Sequence, residues 1–162
     1  MHPISLQAAA TLTEWSLSTL RRRLADGSLR CASNHQDKNK VMICFDSIKN
    51  DMCIAFEDDD IKLIQSADAG DARAQNDLAV LFLEHHKYQS AIYWLELATK
   101  QGFADAMHLL GRCYLKGKGV AKDNNLAMMW IAKAASLGHP IALAQIKSIR
   151  LLNDDEIENR VD

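Results

Sequence analysis

The second half of this chain repeats its own sequence, and the repeated unit fits a pair of helices. Two pairs of segments align, "GDARAQNDLAVLFL" (70–83) with "GFADAMHLLGRCYL" (102–115), and "SAIYWLELATKQG" (90–102) with "LAMMWIAKAASLG" (126–138). Gly70 to Gly102 is 32 residues and Gly102 to Gly138 is 36. The difference falls between the two helical segments, where stacked hairpins tolerate insertions because the turn lies outside the core. The period predicts a mainly α fold, a short α-solenoid of helix-hairpin repeats.

Small and large apolar residues recur at fixed places in both units. The small ones let paired helices approach closely, and the large ones fill the gaps between them. They are Ala74, Ala98, Ala106 and Ala134, and Phe82, Trp94, Tyr114 and Trp130. A helical half unit is predicted before the repeats (58–70) and another after them (139–152). We therefore assign residues 55–152 to the repeat domain and expect 153–162 to be an acidic, frayed tail.

The second unit carries a motif that resembles the Sel-one-like repeats, relatives of the tetratricopeptide repeats. The motif is "A-x-x-x-L-G-x-x-Y-x-x-G-x-G-V-x-x-D…A-x-x-W-x-x-x-A-A-x-x-G", here Ala106, Leu110, Gly111, Tyr114, Gly117, Gly119, Val120, Asp123, Ala127, Trp130, Ala134, Ala135 and Gly138. The first unit lacks the glycine turn, and the third keeps only Ala142 and Ile146. The resemblance covers about residues 58–150 and implies a scaffold that binds another protein or mediates self-association.

The glycine pair Gly117 and Gly119 raises a separate question, whether it cradles a phosphate. No strand precedes it, and Val120 follows where a phosphate loop needs Lys and Ser or Thr. We therefore predict that the glycines supply left-handed backbone between two helices. Asp123 is then expected to cap the next helix.

The first 54 residues have a different pattern. "SLQAAATLT" (5–13) predicts one short helix, and a second is expected from about Ser16 to a stop at Gly27. "LRCASN" and "KVMICF", joined by "HQDKNK", predict a two-stranded wing, and "DSIKNDM" (46–52) predicts a short helix. Residues 1–50 hold seven Lys and Arg against four Asp and Glu, whereas the remainder holds twelve against seventeen. The first part is thus basic and the second acidic, which indicates different partners.

This layout resembles the small winged helix-turn-helix domains of excisionases and MerR-type regulators. The matching residues are Ile4, Ser5, Ala9, Ala10, Ser16, Thr19, Leu20, Arg21, Arg22, Gly27 and Leu29. The resemblance implies that residues 1–54 bind double-stranded DNA. The candidate DNA contacts are Ser16, Ser18, Thr19, Arg21, Arg22, Arg23 and Arg30, with Lys38 and Lys40 on the turn of the wing. Trp15 is open to two interpretations, burial against the repeats or exposure as a dimer contact.

No catalytic constellation emerges from the sequence. The four cysteines lack C-x-x-C spacing, the histidines lack ligand spacing, and the run Asp58–Asp60 opens no calcium loop. We therefore expect no enzyme activity, no metal and no cofactor. With no membrane span and no secretion signal recognised, we expect a cytoplasmic protein.

Two functional hypotheses remain. In the first, the chain is a bacterial regulatory protein that binds DNA through the helix-turn-helix and a protein through the repeats, with homodimerisation for tight DNA binding. In the second, it is an adaptor with no nucleic-acid binding. A solenoid exposes a face built from the first helix of each unit. The partner-binding residues predicted on that face are Gln75, Asn76, Asp77, His108 and Arg112.

Overall fold

The computed structural model describes residues 2–31, 41–57 and 60–158, and these residues form eight α-helices and one two-stranded sheet. The helices are α1 (Leu6–Thr13), α2 (Leu17–Ala25), α3 (Asp60–Asp68), α4 (Ala72–Glu84), α5 (Tyr88–Lys100), α6 (Ala104–Lys116), α7 (Asn124–Ser136) and α8 (Pro140–Glu158). The strands are β1 (Pro3–Ser5) and β2 (Met42–Cys44), and two short 3₁₀ turns follow at Phe45–Ser47 and Lys49–Asp51.

The repeats are antiparallel helix pairs, as the sequence period predicts. α4 packs on α5 and α6 on α7, while α3 precedes the first pair and α8 follows the second. Close packing within the second pair depends on Gly111, because a Cβ atom there would lie 2.9 Å from Ile131 Cγ1 and 3.0 Å from Ala127 O. The large residues Phe82 and Trp94 are buried at the centre of the first pair.

The turn between α6 and α7 explains the glycine pair. Gly117 ends α6 with a left-handed backbone, φ 64°. Gly119 has φ 73°, and a Cβ atom there would lie 2.7 Å from Tyr88 O, so the turn packs directly on the start of α5. Asp123 caps α7, because its Oδ1 accepts hydrogen bonds from the N–H groups of Asn125 and Leu126 at 2.9 Å each. Both predictions for this turn are confirmed.

The N-terminal part holds the two short helices that the sequence predicts. Ser5 caps α1 and Ser16 caps α2, each with a side chain that accepts a backbone N–H three residues on. Gly27 follows α2 with φ 79°. These residues therefore fold as a helix, a tight turn and a second helix.

The sheet differs from the predicted wing. β2 pairs in antiparallel register with β1, so that Ile4 lies opposite Ile43. The segment at Cys31 contributes a single bridge to Ile43, and Cys44 N donates to Arg30 O at 3.0 Å. The sheet partner of β2 is thus a strand at the chain start, where Ile4 is apolar and fully buried, and the described part of the predicted strand 29–34 contributes the bridge at Cys31. Residues 32–34 of that predicted strand and the predicted turn at 35–40, with Lys38 and Lys40, lie outside the described residues.

Two other boundaries also differ. α8 continues to Glu158, past the end at residue 152 that the apolar pattern predicts. The segment 46–52 forms 3₁₀ turns rather than a short α-helix. In both segments the local sequence indicates helix, but it does not determine the hydrogen-bond type of a short segment or the residue at which a helix ends.

The N-terminal part and the repeats share one apolar cluster, which runs from Ile4 through Ala98 to Cys113. Thr11 of α1 is the polar centre of the junction. Its carbonyl oxygen accepts from Ser90 Oγ at 2.8 Å, and its Oγ1 accepts from Trp94 Nε1 at 3.0 Å. Two further links flank it. The Asp68 carboxylate accepts from the N–H and hydroxyl of Ser5, and Lys87 Nζ lies 2.7 Å from Glu14 Oε2.

Candidate functional site

The predicted DNA-contacting residues of α2 divide into a capping group and an exposed group. Ser16 is the N-cap: its Oγ lies 2.8 Å from Ser18 Oγ and accepts from Thr19 N at 3.1 Å. Ser18, Arg21, Arg22 and, beyond the helix, Arg30 are exposed. Three arginines of the predicted set are therefore in contact with solvent.

Arg23 lies apart from those arginines because it packs on Trp15. Its Cζ atom stands 3.8 Å from the centroid of the Trp15 ring, a cation–π contact. Trp15 itself is half-buried and packs against the shared apolar cluster. Of the two interpretations of Trp15, the structure favours packing at the junction with the repeats.

Three of the five predicted partner-binding residues are buried, which corrects the expectation that they face solvent. Gln75 is 3% exposed, Asn76 6% and His108 4%. Gln75 Nε2 donates to Ala67 O at 3.1 Å, and its Oε1 accepts from Gln101 Nε2 at 2.9 Å. They are buried because neighbouring units cover this side of the first helix. Asp77 and Arg112 are exposed, and their role in partner binding stays a prediction.

A groove lies between α4 and α6, the first helices of the two repeats. It has a volume of about 220 Å³. The lining residues are Val80, Leu83, Glu84, Leu109, Arg112, Cys113, Lys116 and Lys118. We call this the α4–α6 groove. It lies on the first helices, where the sequence predicts a binding face, and binding there stays a prediction.

The α4–α6 groove combines apolar and cationic side chains. Val80, Leu83 and Leu109 are half-buried, and Cys113 is buried. Burial raises the pKa of the Cys113 thiol, so this side chain stays neutral and acts as a small apolar group. The groove also holds three cationic residues against one carboxylate, Glu84. A neutral apolar centre with excess positive charge can bind a ligand that is both apolar and anionic.

Sequence reasoning identified only Arg112 among these lining residues. A signal for the others is present in the repeat alignment. Positions 77, 80 and 84 of α4 correspond to 109, 112 and 116 of α6, and they follow helical spacing. Their residue types differ between the units, as with Val80 and Arg112. Aligned positions that share a helix face but differ in chemistry mark a surface, whereas the invariant Ala and Leu positions mark the core.

A second groove lies at the junction between α1 and α5, with a volume of about 480 Å³. Trp15 and Tyr93 form its aromatic walls, and Gln7, Glu14 and Gln89 supply polar groups. Burial raises the pKa of Tyr93, so its hydroxyl stays protonated near neutral pH. Nothing in this lining places a base beside a nucleophile.

Two histidines stack between α6 and α8. The ring centroids of His108 and His139 are 4.4 Å apart with planes 27° from parallel. His108 Nε2 lies 3.2 Å from Gln145 Oε1, His139 Nε2 lies 3.4 Å from Asp105 Oδ1, and His139 Nδ1 accepts from Ala142 N at 3.1 Å. Burial, followed by the neighbouring His139, lowers the pKa of His108. Both rings therefore connect α8 to the second repeat.

Among the described side chains, which end at residue 149, no three His, Cys, Asp or Glu side chains converge in a way that would hold a metal ion. Across residues 2–31, 41–57 and 60–158, no helix has the length and apolar character needed to cross a membrane. All four cysteines lie in the described part, and none of them forms a disulfide.

Stacked helix pairs with a groove between their first helices define an α-solenoid of the helix-hairpin repeat class. The family profile of the Sel1 repeat matches residues 72–103 and 104–139, which are the α4–α5 and α6–α7 hairpins. This chain is therefore a Sel1 repeat protein, and Sel1 repeats indicate interaction with other proteins.

Solved structures agree with this assignment. A Sel1 repeat protein from Oxalobacter formigenes is 36% identical, with TM-score 0.53, over 57% of this chain and 74% of that chain. A protective antigen of uropathogenic Escherichia coli with an SLR fold is 32% identical, with TM-score 0.53, over 59% of this chain and 22% of that chain. The matched Sel1 repeats begin at residue 72, so the winged helix-turn-helix resemblance of residues 1–54 stays a prediction.

Two curated relatives are much longer proteins. Human wolframin is 30% identical over 112 residues, which is 65% of this chain and 12% of wolframin. The rat DAP3-binding cell death enhancer 1 is 34% identical over 89 residues, 54% of this chain and 18% of that protein. The chain thus spans less than a fifth of the length of either relative.

Proposed function

We propose that this protein is a non-enzymatic adaptor that binds a protein partner in the α4–α6 groove. The observation that carries the proposal is the groove itself, an apolar and cationic channel formed by equivalent faces of two Sel1 repeats. One relative, the rat DAP3-binding cell death enhancer 1, is named for binding another protein. Burial raises the pKa of the Cys113 thiol, and burial raises the pKa of Cys53 to about 11, so neither thiol is a ready nucleophile.

Site-specific photocross-linking tests the location of the interface. A benzoylphenylalanine placed at Lys116 lies in the groove, and the same residue at Lys100 of α5 lies outside its lining. In a lysate of the source cells, we expect protein adducts from position 116 and none from position 100. An excess of wild-type protein without the cross-linker should reduce the adducts from position 116 by competition.

The matched competitor in this experiment is Val80→Arg. It places in the first repeat the residue that the second repeat has at the equivalent position, Arg112, so the fold should accept it. The larger side chain occupies the groove, and we expect this variant to compete poorly. Equal adducts from positions 116 and 100, or full competition by Val80→Arg, would exclude the groove as the interface.

DNA binding through α2 is the second candidate, favoured by the exposure of Arg21, Arg22 and Arg30. Three neutralised phosphates would give a log–log salt slope of roughly −2.7. A mobility-shift assay with random duplex DNA should then show weaker binding for Arg21→Ala/Arg22→Ala than for Lys62→Ala/Lys100→Ala, which removes the same charge elsewhere. Equal binding by the two variants would exclude DNA binding through α2 and would leave the adaptor function as the remaining candidate.

A further inference from the structure

We infer that the α4–α6 groove binds an extended acidic segment of a partner protein that places an aliphatic or aromatic side chain between α4 and α6. The inference rests on the proposed function and specifies the chemistry of the partner. Two independent features of the groove support it: its apolar centre and its excess of cations.

The apolar centre sets the size of the inserted group. Val80 and Leu83 face it from α4, and Leu109 and Cys113 from α6. A cavity of about 150 Å³ lined by apolar groups accommodates a benzene-sized molecule. The volume here, about 220 Å³, is therefore enough for one leucine, isoleucine or phenylalanine side chain. Burying such a side chain removes apolar surface of both partners from water, which favours binding.

The cations set the charge of the neighbouring groups. Arg112 and Lys116 are exposed on successive turns of α6, and Lys118 follows in the turn, with its Nζ 5.0 Å from the centroid of the Tyr88 ring. Only Glu84 opposes them in the lining. An Arg guanidinium binds a carboxylate through two parallel hydrogen bonds. Acidic side chains on either side of the inserted apolar group would meet these cations.

Fluorescence anisotropy with three labelled peptides tests this chemistry. In each peptide leucine alternates with a second residue, which is aspartate, asparagine or lysine. The full chain should bind the aspartate peptide most tightly, bind the asparagine peptide more weakly and not bind the lysine peptide. The affinity for the aspartate peptide should fall as salt is raised, because exposed charges are screened.

Three variants separate the contributions. Arg112→Gln/Lys116→Gln should lower the affinity for the aspartate peptide by about fivefold or more, because two ion pairs are lost. Lys62→Gln/Lys100→Gln removes the same charge outside the groove and should leave binding unchanged. Val80→Arg adds a positive charge but fills the apolar centre, so it should abolish binding. Circular dichroism should show that each variant keeps its helix content.

Several results would overturn the inference. They are equal affinity for the aspartate and asparagine peptides, equal loss in the two double variants, undiminished binding by Val80→Arg, or displacement of the peptide by short duplex DNA. If cross-linking places a partner in the groove and the aspartate peptide does not bind, the acidic chemistry is wrong and the adaptor function stands. If both experiments fail, the groove is not the interface.

Discussion

The hydroxyl of Thr11 should contribute measurably to the stability of the whole chain, although it lies on a short helix of eight residues. Thr11 Oγ1 accepts the hydrogen bond of Trp94 Nε1 at 3.0 Å, and the Trp94 side chain is 1% exposed. Thr11→Val keeps the shape of the side chain and removes this acceptor. The bond from Ser90 Oγ to the main-chain oxygen of Thr11 remains. The substitution therefore removes one interaction across the junction, together with the bond that the hydroxyl donates to Ala8 O within α1 at 2.8 Å.

The expected magnitude follows from leaving a buried donor without a partner. The indole N–H in Thr11→Val has no access to water, and such a group costs about 1–3 kcal/mol. Volume contributes little, because valine and threonine are nearly the same size. For a chain of this length, each 1 kcal/mol lowers Tm by about 2–4 °C. A loss of about 2 kcal/mol therefore lowers Tm by roughly 4–8 °C.

Urea denaturation followed by circular dichroism measures the change, and Thr99→Val is the matched control. Thr99 is also a buried helical threonine, but its hydroxyl only donates to Glu96 O at 2.9 Å. We expect the free energy of unfolding of this control to stay within about 0.5 kcal/mol of the wild-type value. In a Trp94→Phe background, which lacks the N–H, Thr11→Val should also cost little. A cost for Thr11→Val below 0.5 kcal/mol, or one unchanged by Trp94→Phe, would refute the assignment of Thr11 as the acceptor.

Three further predictions follow from local geometry. Because the pKa of His108 is lowered in the folded state, the unfolded state takes up a proton at higher pH. Thermal melts should therefore show Tm falling as pH drops from about 7 to 5, and the fall in Tm should be smaller for His108→Gln. In urea titrations, Gly119→Ala should lower the free energy of unfolding by roughly 2–5 kcal/mol, because residue 119 has a positive φ and the added Cβ would contact Tyr88 O. Gly138→Ala, which has open space around it, should lower it by only about 1–2 kcal/mol. Asp123→Ala should cost about 1 kcal/mol as a lost N-cap and Asp123→Asn much less, by the same titration.

The repeat architecture was predictable because each unit contains its own evidence. Ala74 and Ala106, or Trp94 and Trp130, occupy equivalent places, and a period of 32 to 36 residues fits one helix pair. The turn was predictable from the local sequence, because the positive φ at Gly117 depends on the residues of the turn itself. Strand β1 was not predictable in this way, because three residues carry no period and their partner lies 39 residues further on, as in Ile4 opposite Ile43.

The binding face was harder to predict than the fold. Polar residues on a first helix were expected to face solvent, yet Gln75 and His108 are buried. Their partners, Gln101 and Gln145, lie 26 and 37 residues away, and such pairs leave no signal in local spacing. The apolar groove residue Leu109 was not among the predicted partner-binding residues. Hydropathy separates buried from exposed residues on average, but a binding groove consists of apolar residues that are only partly covered.

The junction at Thr11 also bears on how the two candidate functions relate. The apolar cluster continues from α1 into α5 without a break, and hydrogen bonds from Ser90 and Trp94 bind the two helices together. An isolated segment of residues 1–54 would expose Thr11 and the apolar side chains of α1 to water. The exposed arginines of α2 are therefore held in a fixed position relative to the repeats. DNA binding and protein binding must both be measured on the full chain, since each surface depends on the same core.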